Sequence, residues 1–217
     1  MDLTGAQIKT VLEQQWQPSG ASRPFLKLGV NKELTYTYDP AADVNKHITE
    51  IMLNGVPLNM GATYSVGVNS FLASGGDNFF ELAKGANKAD SGQVDLEGMV
   101  DYFTAFPTVS PDLAQRAVGV RVSAPDADGY DVGDSVTVTL SSLEFTRDEP
   151  AAGTVAVSLG GAQLGTAAVS RTYTPTNDET GTATVQFTIP PGVTGLTRFA
   201  ITVPATGTAS SFTIPVD

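Results

Sequence analysis

The sequence predicts two successive fold classes, an α+β half followed by an all-β half. Two stretches of the first half carry apolar residues at helical spacing, with short strand-like runs between them. The composition changes near residue 121. Before it lie all four Met, the only Trp and the only His, and after it Thr, Val, Ala, Ser and Gly dominate. We therefore expect two domains, over residues 1–121 and 122–217.

Two helices are predicted in the first half. The first extends from Thr4, a suitable N-cap, to Trp16, and the segment Pro18–Gly20 ends it. Its apolar stripe consists of Ile8, Val11, Leu12 and Trp16. The second helix extends from Asp95 to Phe106. Its stripe consists of Leu96, Met99, Val100 and Phe103.

Four strands are predicted between these helices, and an Asn-Gly pair at residues 54–55 favours a hairpin turn after the third. The strands are Phe25–Val30, Leu34–Tyr38, His47–Leu53 and Tyr64–Val68. Strands and helices together predict a mixed sheet with flanking helices.

The second half contains only strand patterns, with turn signals about every ten residues. Apolar residues alternate with polar ones in segments that begin near residues 136, 155, 183, 199 and 212. This pattern is typical of a β-sandwich, and we expect an immunoglobulin-like one that lacks the Cys-Trp-Cys framework of antibodies. The polar segment Ala124–Asp131 is the expected linker.

Charge and cysteine content exclude several functions. The net charge is −11, from 12 basic and 23 acidic residues, so no basic face is expected to bind nucleic acid or an anionic membrane. Cysteine is absent, which excludes disulfides and thiolate metal sites. No apolar run is long enough for a membrane helix. Residues 1–8 do not form a signal peptide, so the protein is either cytoplasmic or a fragment whose export signal lies upstream.

The segment Asn69–Asp77 is the candidate binding site. A strand is expected to deliver Phe71, the Gly75-Gly76 pair permits a tight backbone path, and Asp77 follows at once. Such a loop presents an aromatic face and a carboxylate close together. The ring can stack on a flat base, and the carboxylate can accept two hydrogen bonds from neighbouring hydroxyls. A nucleoside offers both partners.

At this segment the sequence resembles the C-terminal domain of 5'-nucleotidases and related secreted metallophosphoesterases. The resemblance covers roughly residues 1–120. It rests on Leu3–Ile8, Phe25–Gly29, Ile51–Leu58 and above all Asn69–Phe79.

The resemblance implies a role for individual residues. Phe25 and Phe71 would sandwich the nucleobase, and Asp77, which follows Gly76, would bind the ribose hydroxyls. The polar contact two residues after Phe25 would fall on Lys27, where some relatives have an amide. The predicted substrate-binding residues are thus Phe25, Lys27, Phe71, Gly76 and Asp77, with no catalytic or metal-binding residue in this chain.

The resemblance also implies what lies outside these residues. In the family, hydrolysis uses two divalent metal ions held by Asp, Asn and His residues of an N-terminal domain, whereas this chain has one histidine, His47. We expect the chain to be part of an exported bacterial 5'-nucleotidase or 2',3'-cyclic-nucleotide phosphodiesterase, located outside the cell or in the cell wall. Its partners would be a nucleotide or nucleoside and the metallophosphatase domain.

Plainer interpretations stand beside these. Phe71 and Asp77 also suit a buried aromatic and a turn aspartate, and Phe25 suits a core position. His47 is expected to be a structural or surface histidine. The run Asp126, Asp128, Asp131 and Asp134 suggests a calcium loop, but Tyr130 and Thr137 stand where oxygen ligands belong, so an acidic linker is favoured.

Two other functions remain open at this point. One is a non-catalytic adhesion or scaffold module, which the all-β half would suit. The other is a related phosphoesterase acting on sugar nucleotides or nucleoside diphosphates.

Overall fold

A computed structural model describes residues 1–126, 129–146, 148–173 and 180–217. The helices are α1 (Gly5–Glu13), α2 (Ser70–Ala73) and α3 (Asp95–Ala105). The strands of the first 122 residues are β1 (Asp2–Thr4), β2 (Leu34–Tyr38), β3 (Ile48–Leu53), β4 (Val56–Pro57), β5 (Thr63–Ser65) and β6 (Ala117–Val122). The later strands are β7 (Ser135–Ser141), β8 (Thr154–Leu159), β9 (Ala162–Ala168), β10 (Ala183–Thr188), β11 (Gly195–Val203) and β12 (Thr208–Val216).

The chain divides into two compact units. The first unit comprises residues 1–14 and 59–112, and the second comprises 15–58 and 113–217. This division differs from the predicted domains 1–121 and 122–217. The predicted boundary at residue 121 lies inside β6. A change of composition along the sequence does not show which distant strands pair, so it does not locate the boundary between compact units.

The first unit is built on a short ribbon and a capped helix. Strands β1 and β5 pair antiparallel, with Leu3 opposite Tyr64. The Thr4 hydroxyl accepts from the Gln7 N–H while the Gln7 side chain accepts from the Thr4 N–H, a capping box that fixes the start of α1. The predicted first helix is therefore confirmed, and it ends at Glu13.

The second unit contains a six-stranded mixed sheet in the order β10-β7-β6-β2-β3-β4. Strands β2 and β6 pair parallel, with Tyr36 opposite Ala117, and the other pairs are antiparallel. A second, antiparallel sheet has the order β12-β11-β8-β9. The predicted mixed sheet is confirmed, although it takes strands from both halves of the sequence.

One hydrophobic core lies between these two sheets. The alternation predicted for the second half is present, since Val136, Val138 and Leu140 of β7 are fully buried. Facing residues come from the other sheet, including Val157, Phe199 and Ile201. The rings of Phe199 and Phe212 stack with their centroids 5.3 Å apart. Burial of this apolar surface holds the two sheets together.

The predicted strand Phe25–Val30 is wrong. Within residues 25–30, all of which are described, the structure has only an isolated bridge between Phe25 and Trp16. The backbone there is held instead by Gln15, which is fully buried. Its side-chain oxygen accepts from the Leu28 N–H at 2.8 Å and from the Tyr36 hydroxyl at 3.0 Å. A side chain thus replaces the neighbouring strand that an alternating pattern would require.

Candidate functional site

The loop over residues 69–80, in the first unit, carries three of the predicted site residues. Asn69 caps α2, because its side-chain oxygen accepts from the Leu72 N–H at 2.8 Å. Phe71 lies in the first turn of this short helix, and the residue is 56% exposed. The expectation that a strand delivers Phe71 is therefore wrong, since β5 already ends at Ser65.

The double glycine turns the chain directly beneath this ring. Gly75 has φ +85°, which a residue with a Cβ rarely adopts. At Gly76 a Cβ would lie 2.5 Å from two ring carbons of Phe71, so the ring rests on the glycine backbone. The predicted tight path is confirmed at Gly75, and Gly76 also provides space for the aromatic ring.

Asp77 follows with its side chain exposed and its backbone in the left-handed region, at φ 51° and ψ 34°. Asn78 is also left-handed, at φ 64°. Asp and Asn are the non-glycine residues that tolerate this conformation best. This left-handed backbone costs conformational free energy, and it places Asp77 directly after Gly76, the residue on which the Phe71 ring rests.

Buried side chains hold the far end of the loop. Phe79 and Leu82 are each only 2% exposed. Phe80, between them, is 55% exposed, and its ring lies beside Gly75. The two neighbouring phenylalanines therefore differ, since Phe79 is buried and Phe80 is exposed.

Hydrogen bonds from Lys88 hold the loop at two points. Its ammonium group donates to the Ala73 carbonyl at 3.0 Å and to the Ala83 carbonyl at 2.6 Å, joining the end of α2 to the segment after the double glycine. Sequence reasoning missed this residue, because nothing in the spacing of a lone lysine reveals two backbone acceptors.

The backbone that follows is tied to α1 through Glu81, which is 8% exposed. The Glu81 carboxylate accepts from the Gln7 side chain at 3.2 Å and from the Lys84 ammonium at 2.7 Å. Its N–H donates to the Gln14 side chain at 3.1 Å. These bonds give the loop a fixed base, and the exposed Phe71 and Asp77 stand on it.

Phe25 and Lys27 belong to the second unit. Phe25 is only 6% exposed, and it packs edge-on against Trp16 with ring centroids 5.0 Å apart. Trp16 in turn stacks on His47 at 4.0 Å, and His47 is 5% exposed, which confirms a structural histidine. Lys27 is exposed. The structure brings Phe71, Gly76 and Asp77 together, while Phe25 is enclosed by its aromatic neighbours.

No metal centre is found in the described part of the chain, where no three His, Asp or Glu residues are grouped so as to hold an ion. The residues present therefore do not fit a two-metal site. Of the suggested calcium loop, Asp128 lies outside the described residues. The Asp134 carboxylate accepts from the Asp131 N–H at 2.8 Å, as in an ordinary turn.

Among the described residues, none of the helices has both the length and the apolar content needed to cross a membrane.

Comparison with known proteins finds a family match in the first part of the chain. Residues 1–84 match the family model of the 5'-nucleotidase C-terminal domain. A 5'-nucleotidase-related protein of Glossina morsitans morsitans is 32% identical over 125 residues, which are 53% of this chain and 22% of that protein. The snake venom 5'-nucleotidase of Naja atra is 38% identical over 63 residues, 29% of this chain and 12% of that protein.

A third relative is the trifunctional nucleotide phosphoesterase protein YfkN of Bacillus subtilis (strain 168). It is 29% identical over 137 residues, which are 59% of this chain and 9% of that protein. The chain spans less than a quarter of the length of these curated relatives. The expected family is confirmed for residues 1–84, which contain Phe25, Lys27, Phe71, Gly76 and Asp77.

Proposed function

We propose that residues 1–84, as a segment of a 5'-nucleotidase C-terminal domain, bind the nucleoside end of a nucleotide through the loop Asn69–Asp77. The observation that carries this proposal is the position of the Phe71 ring. Phe71 is more than half exposed, its ring rests on Gly76, and Gly76 is followed immediately by the exposed Asp77.

The chemistry of the two side chains matches the two ends of a nucleoside. An exposed phenyl face gains free energy by stacking on a purine or pyrimidine ring. A carboxylate accepts two hydrogen bonds, and the ribose 2'- and 3'-hydroxyls are neighbouring donors. Because the loop is fixed by Lys88 and Glu81, little order has to be gained when the nucleoside binds.

Phe25 and Lys27 are proposed as further contacts to the nucleotide, which contribute less to binding than Phe71 and Asp77. Lys27 is exposed and can donate to a base or phosphate oxygen. Phe25 would have to leave its packing against Trp16 to offer a face to the base, and that cost weakens any contribution from its ring.

For the whole protein we propose an exported 5'-nucleotidase or 2',3'-cyclic-nucleotide phosphodiesterase that acts in nucleotide catabolism. Two divalent metal ions in a metallophosphatase domain would perform the hydrolysis, and the described residues of this chain supply no ligand set for them. This chain alone is therefore expected to hold a nucleotide without cleaving it. The supporting observations are the names of the relatives and the family match.

The remaining proposals concern the setting of the protein. An extracellular or cell-wall location is part of the proposal, and the name of the snake venom relative supports its extracellular part. An immunoglobulin-like spacer is supported by the two packed sheets of the second unit. That unit also favours the alternative function of an adhesion or scaffold module, since it holds the larger part of the chain.

Calorimetric titration of adenosine into the 217-residue chain tests the proposed binding site. Phe71→Ala is expected to weaken binding about tenfold, since stacking contributes about 1.4 kcal/mol. Phe80→Ala is the matched control, because Phe80 is 55% exposed on the same loop. Equal affinity of wild type and Phe71→Ala for adenosine would remove the assignment, as would the absence of binding by the wild type.

A further inference from the structure

Lys88 bridges the two sides of the double-glycine turn with a single ammonium group. Its hydrogen bonds to the Ala73 and Ala83 carbonyls are 3.0 and 2.6 Å long. Ala73 is the last residue of α2, the helix that carries Phe71, and Ala83 lies in a single 3-10 turn after the glycines. Carbonyls at helix ends lack partners within the helix, so both can accept from a side chain. Lys88 therefore closes the segment 74–82 at both of its ends.

The backbone before Lys88 is itself anchored to β1. Ala86 pairs with Asp2 through two backbone hydrogen bonds of 2.8 and 2.9 Å. Asn87 is left-handed at φ 48°, and its side-chain amide donates to the Asp2 carboxylate at 2.8 Å. Asparagine is one of the few residues with a Cβ that adopt this conformation readily. These contacts fix the point from which the Lys88 side chain reaches the loop.

The exposure of Lys88 indicates that its bridge acts locally. Lys88 is exposed, whereas Glu81 at the base of the loop is 8% exposed. Holding a long side chain in one conformation costs entropy, and a hydrogen bond at the surface adds little to stability because water offers the same partners. The main effect of the bridge is to fix α2 relative to the segment after the glycines. It thereby holds the Phe71 ring over Gly76 before a ligand binds.

We propose that Lys88 is a positioning residue for the nucleoside site and acts by holding the Phe71 ring in place. The inference rests on the proposed function of the loop Asn69–Asp77. Without the bridge, the ring is in its binding position in only a fraction of the molecules. The apparent dissociation constant for a nucleoside then rises as the inverse of that fraction.

Calorimetric titration of adenosine into the Lys88→Met variant of the 217-residue chain tests the proposal. Methionine keeps an unbranched apolar stem but removes the donors, and affinity is expected to fall roughly fivefold. Lys88→Arg retains donors for both carbonyls and should restore most of this loss. Lys32→Met is the control, because it removes the same charge from an exposed lysine of the other unit. Wild-type affinity in Lys88→Met, or an equal loss in Lys88→Arg, overturns the proposal.

A double-mutant cycle separates positioning of the ring from general destabilisation. In a Phe71→Ala background, Lys88→Met should change adenosine affinity by less than about twofold, because the ring on which Lys88 acts is missing. A general loss of stability would lower affinity by the same factor in both backgrounds. An undiminished, roughly fivefold loss in the Phe71→Ala background therefore overturns the proposal.

Amide hydrogen exchange measures the effect of the bridge without a ligand. The Gly75 and Phe79 N–H groups, both within the segment 74–82, donate to backbone carbonyls at 2.9 and 3.1 Å. Both amides should exchange faster in Lys88→Met than in the wild type. Exchange at the wild-type rate in the variant overturns the role of Lys88 alone. Absence of adenosine binding by the wild type removes the nucleoside site itself, and the positioning role with it.

Discussion

The ring of Phe71 occupies the space where any other residue at position 76 would carry its Cβ. Two of its ring carbons lie 2.5 Å from that position. Gly76 is therefore required by a neighbouring side chain, whereas Gly75 is required by its own left-handed backbone. The two adjacent glycines are thus required for different physical reasons, and substitutions at the two positions can distinguish these reasons.

Gly76→Ala should displace the Phe71 ring without unfolding the loop. The alanine Cβ meets only the far end of a flexible side chain, which can rotate away. Adenosine affinity is expected to fall about as much as in Phe71→Ala, roughly tenfold. The free energy of unfolding should change by less than about 1 kcal/mol. Calorimetric titration and urea denaturation measure the two quantities.

Gly67→Ala is the control for this substitution, since nothing lies within 4 Å of a Cβ at that glycine. Its adenosine affinity should equal that of the wild type. Wild-type affinity in Gly76→Ala as well would mean that the ring position has no part in binding.

Asp77→Asn should weaken adenosine binding because it removes only the contact between the carboxylate and the ribose hydroxyls. Asparagine tolerates φ 51°, so the backbone is expected to persist, but the amide loses a charged acceptor worth about 1.5–3 kcal/mol. The wild type should bind 2',3'-dideoxyadenosine more weakly than adenosine, and Asp77→Asn should bind the two alike. Asp43→Asn, at an exposed carboxylate of the other unit, should retain the difference between the ligands. Persistence of that difference in Asp77→Asn would contradict the ribose contact.

Tyr36 should make the protein less stable in alkali. Burial raises the pKa of Tyr36 to about 12, against an ordinary value of about 10. Between these values the unfolded chain loses the proton and the folded chain keeps it. Stability is therefore full below pH 10 and falls as the pH rises toward 12, by at most about 3 kcal/mol.

Urea denaturation across this pH range tests the effect, with Tyr36→Phe as the comparison. The variant should lose about 1 kcal/mol at neutral pH, from the missing hydrogen bond, and should decline less in alkali. A residual decline is expected, because burial also raises the pKa of Tyr130. An identical alkaline decline in wild type and variant would exclude Tyr36 as its source.

Two ion pairs of different burial should differ in their contribution to stability. The Glu144 side chain is fully buried, and it accepts from Arg171 at 2.9 Å and from the Ala152 N–H at 2.7 Å. Arg171→Met should cost about 3 kcal/mol, because a buried carboxylate loses its cation. Lys46→Met breaks an exposed pair with Asp43 and should cost less than about 1 kcal/mol.

The free energy of unfolding from urea denaturation measures both costs. The double variant Glu144→Leu with Arg171→Met should recover part of the loss, since neither charge then remains buried. Equal costs for the exposed and the buried pair would show that the Glu144 environment is better solvated than its burial implies.

Local sequence patterns predicted much of this structure. The elements that they did not predict depend on contacts between residues that are not neighbours in the sequence. The alternation around Val136 and Val138 predicted β7, and the spacing of Leu96 and Phe103 predicted α3. Nothing local distinguishes residues 25–30 from a strand, because the decisive partner is the buried side chain of Gln15. The parallel pairing of β2 with β6 joins residues that no turn signal connects.

The candidate site was predictable in its residue types but only partly in its geometry. The order Phe71, Gly76 and Asp77 indicated an aromatic ring beside a carboxylate. The short helix that carries Phe71 begins at the Asn69 cap. The sequence pattern did not predict this helix, because the glycine pair that follows indicates a turn. The burial of Phe25 could not be predicted, because its packing against Trp16 brings together residues nine positions apart in a segment without regular structure.

The pairing of β2 with β6 also determines how long β2 must wait for its partner strand during translation. Tyr36 leaves the ribosome well before its partner Ala117, which is translated 81 positions later. At typical synthesis rates the wait is roughly 4 to 16 seconds. During this time β2, β3 and β4 can form their antiparallel meander, but one edge of β2 stays open to other chains. The nascent polypeptide is therefore most exposed to misassembly before residue 122 emerges, and a chaperone that shields β2 would act in that interval.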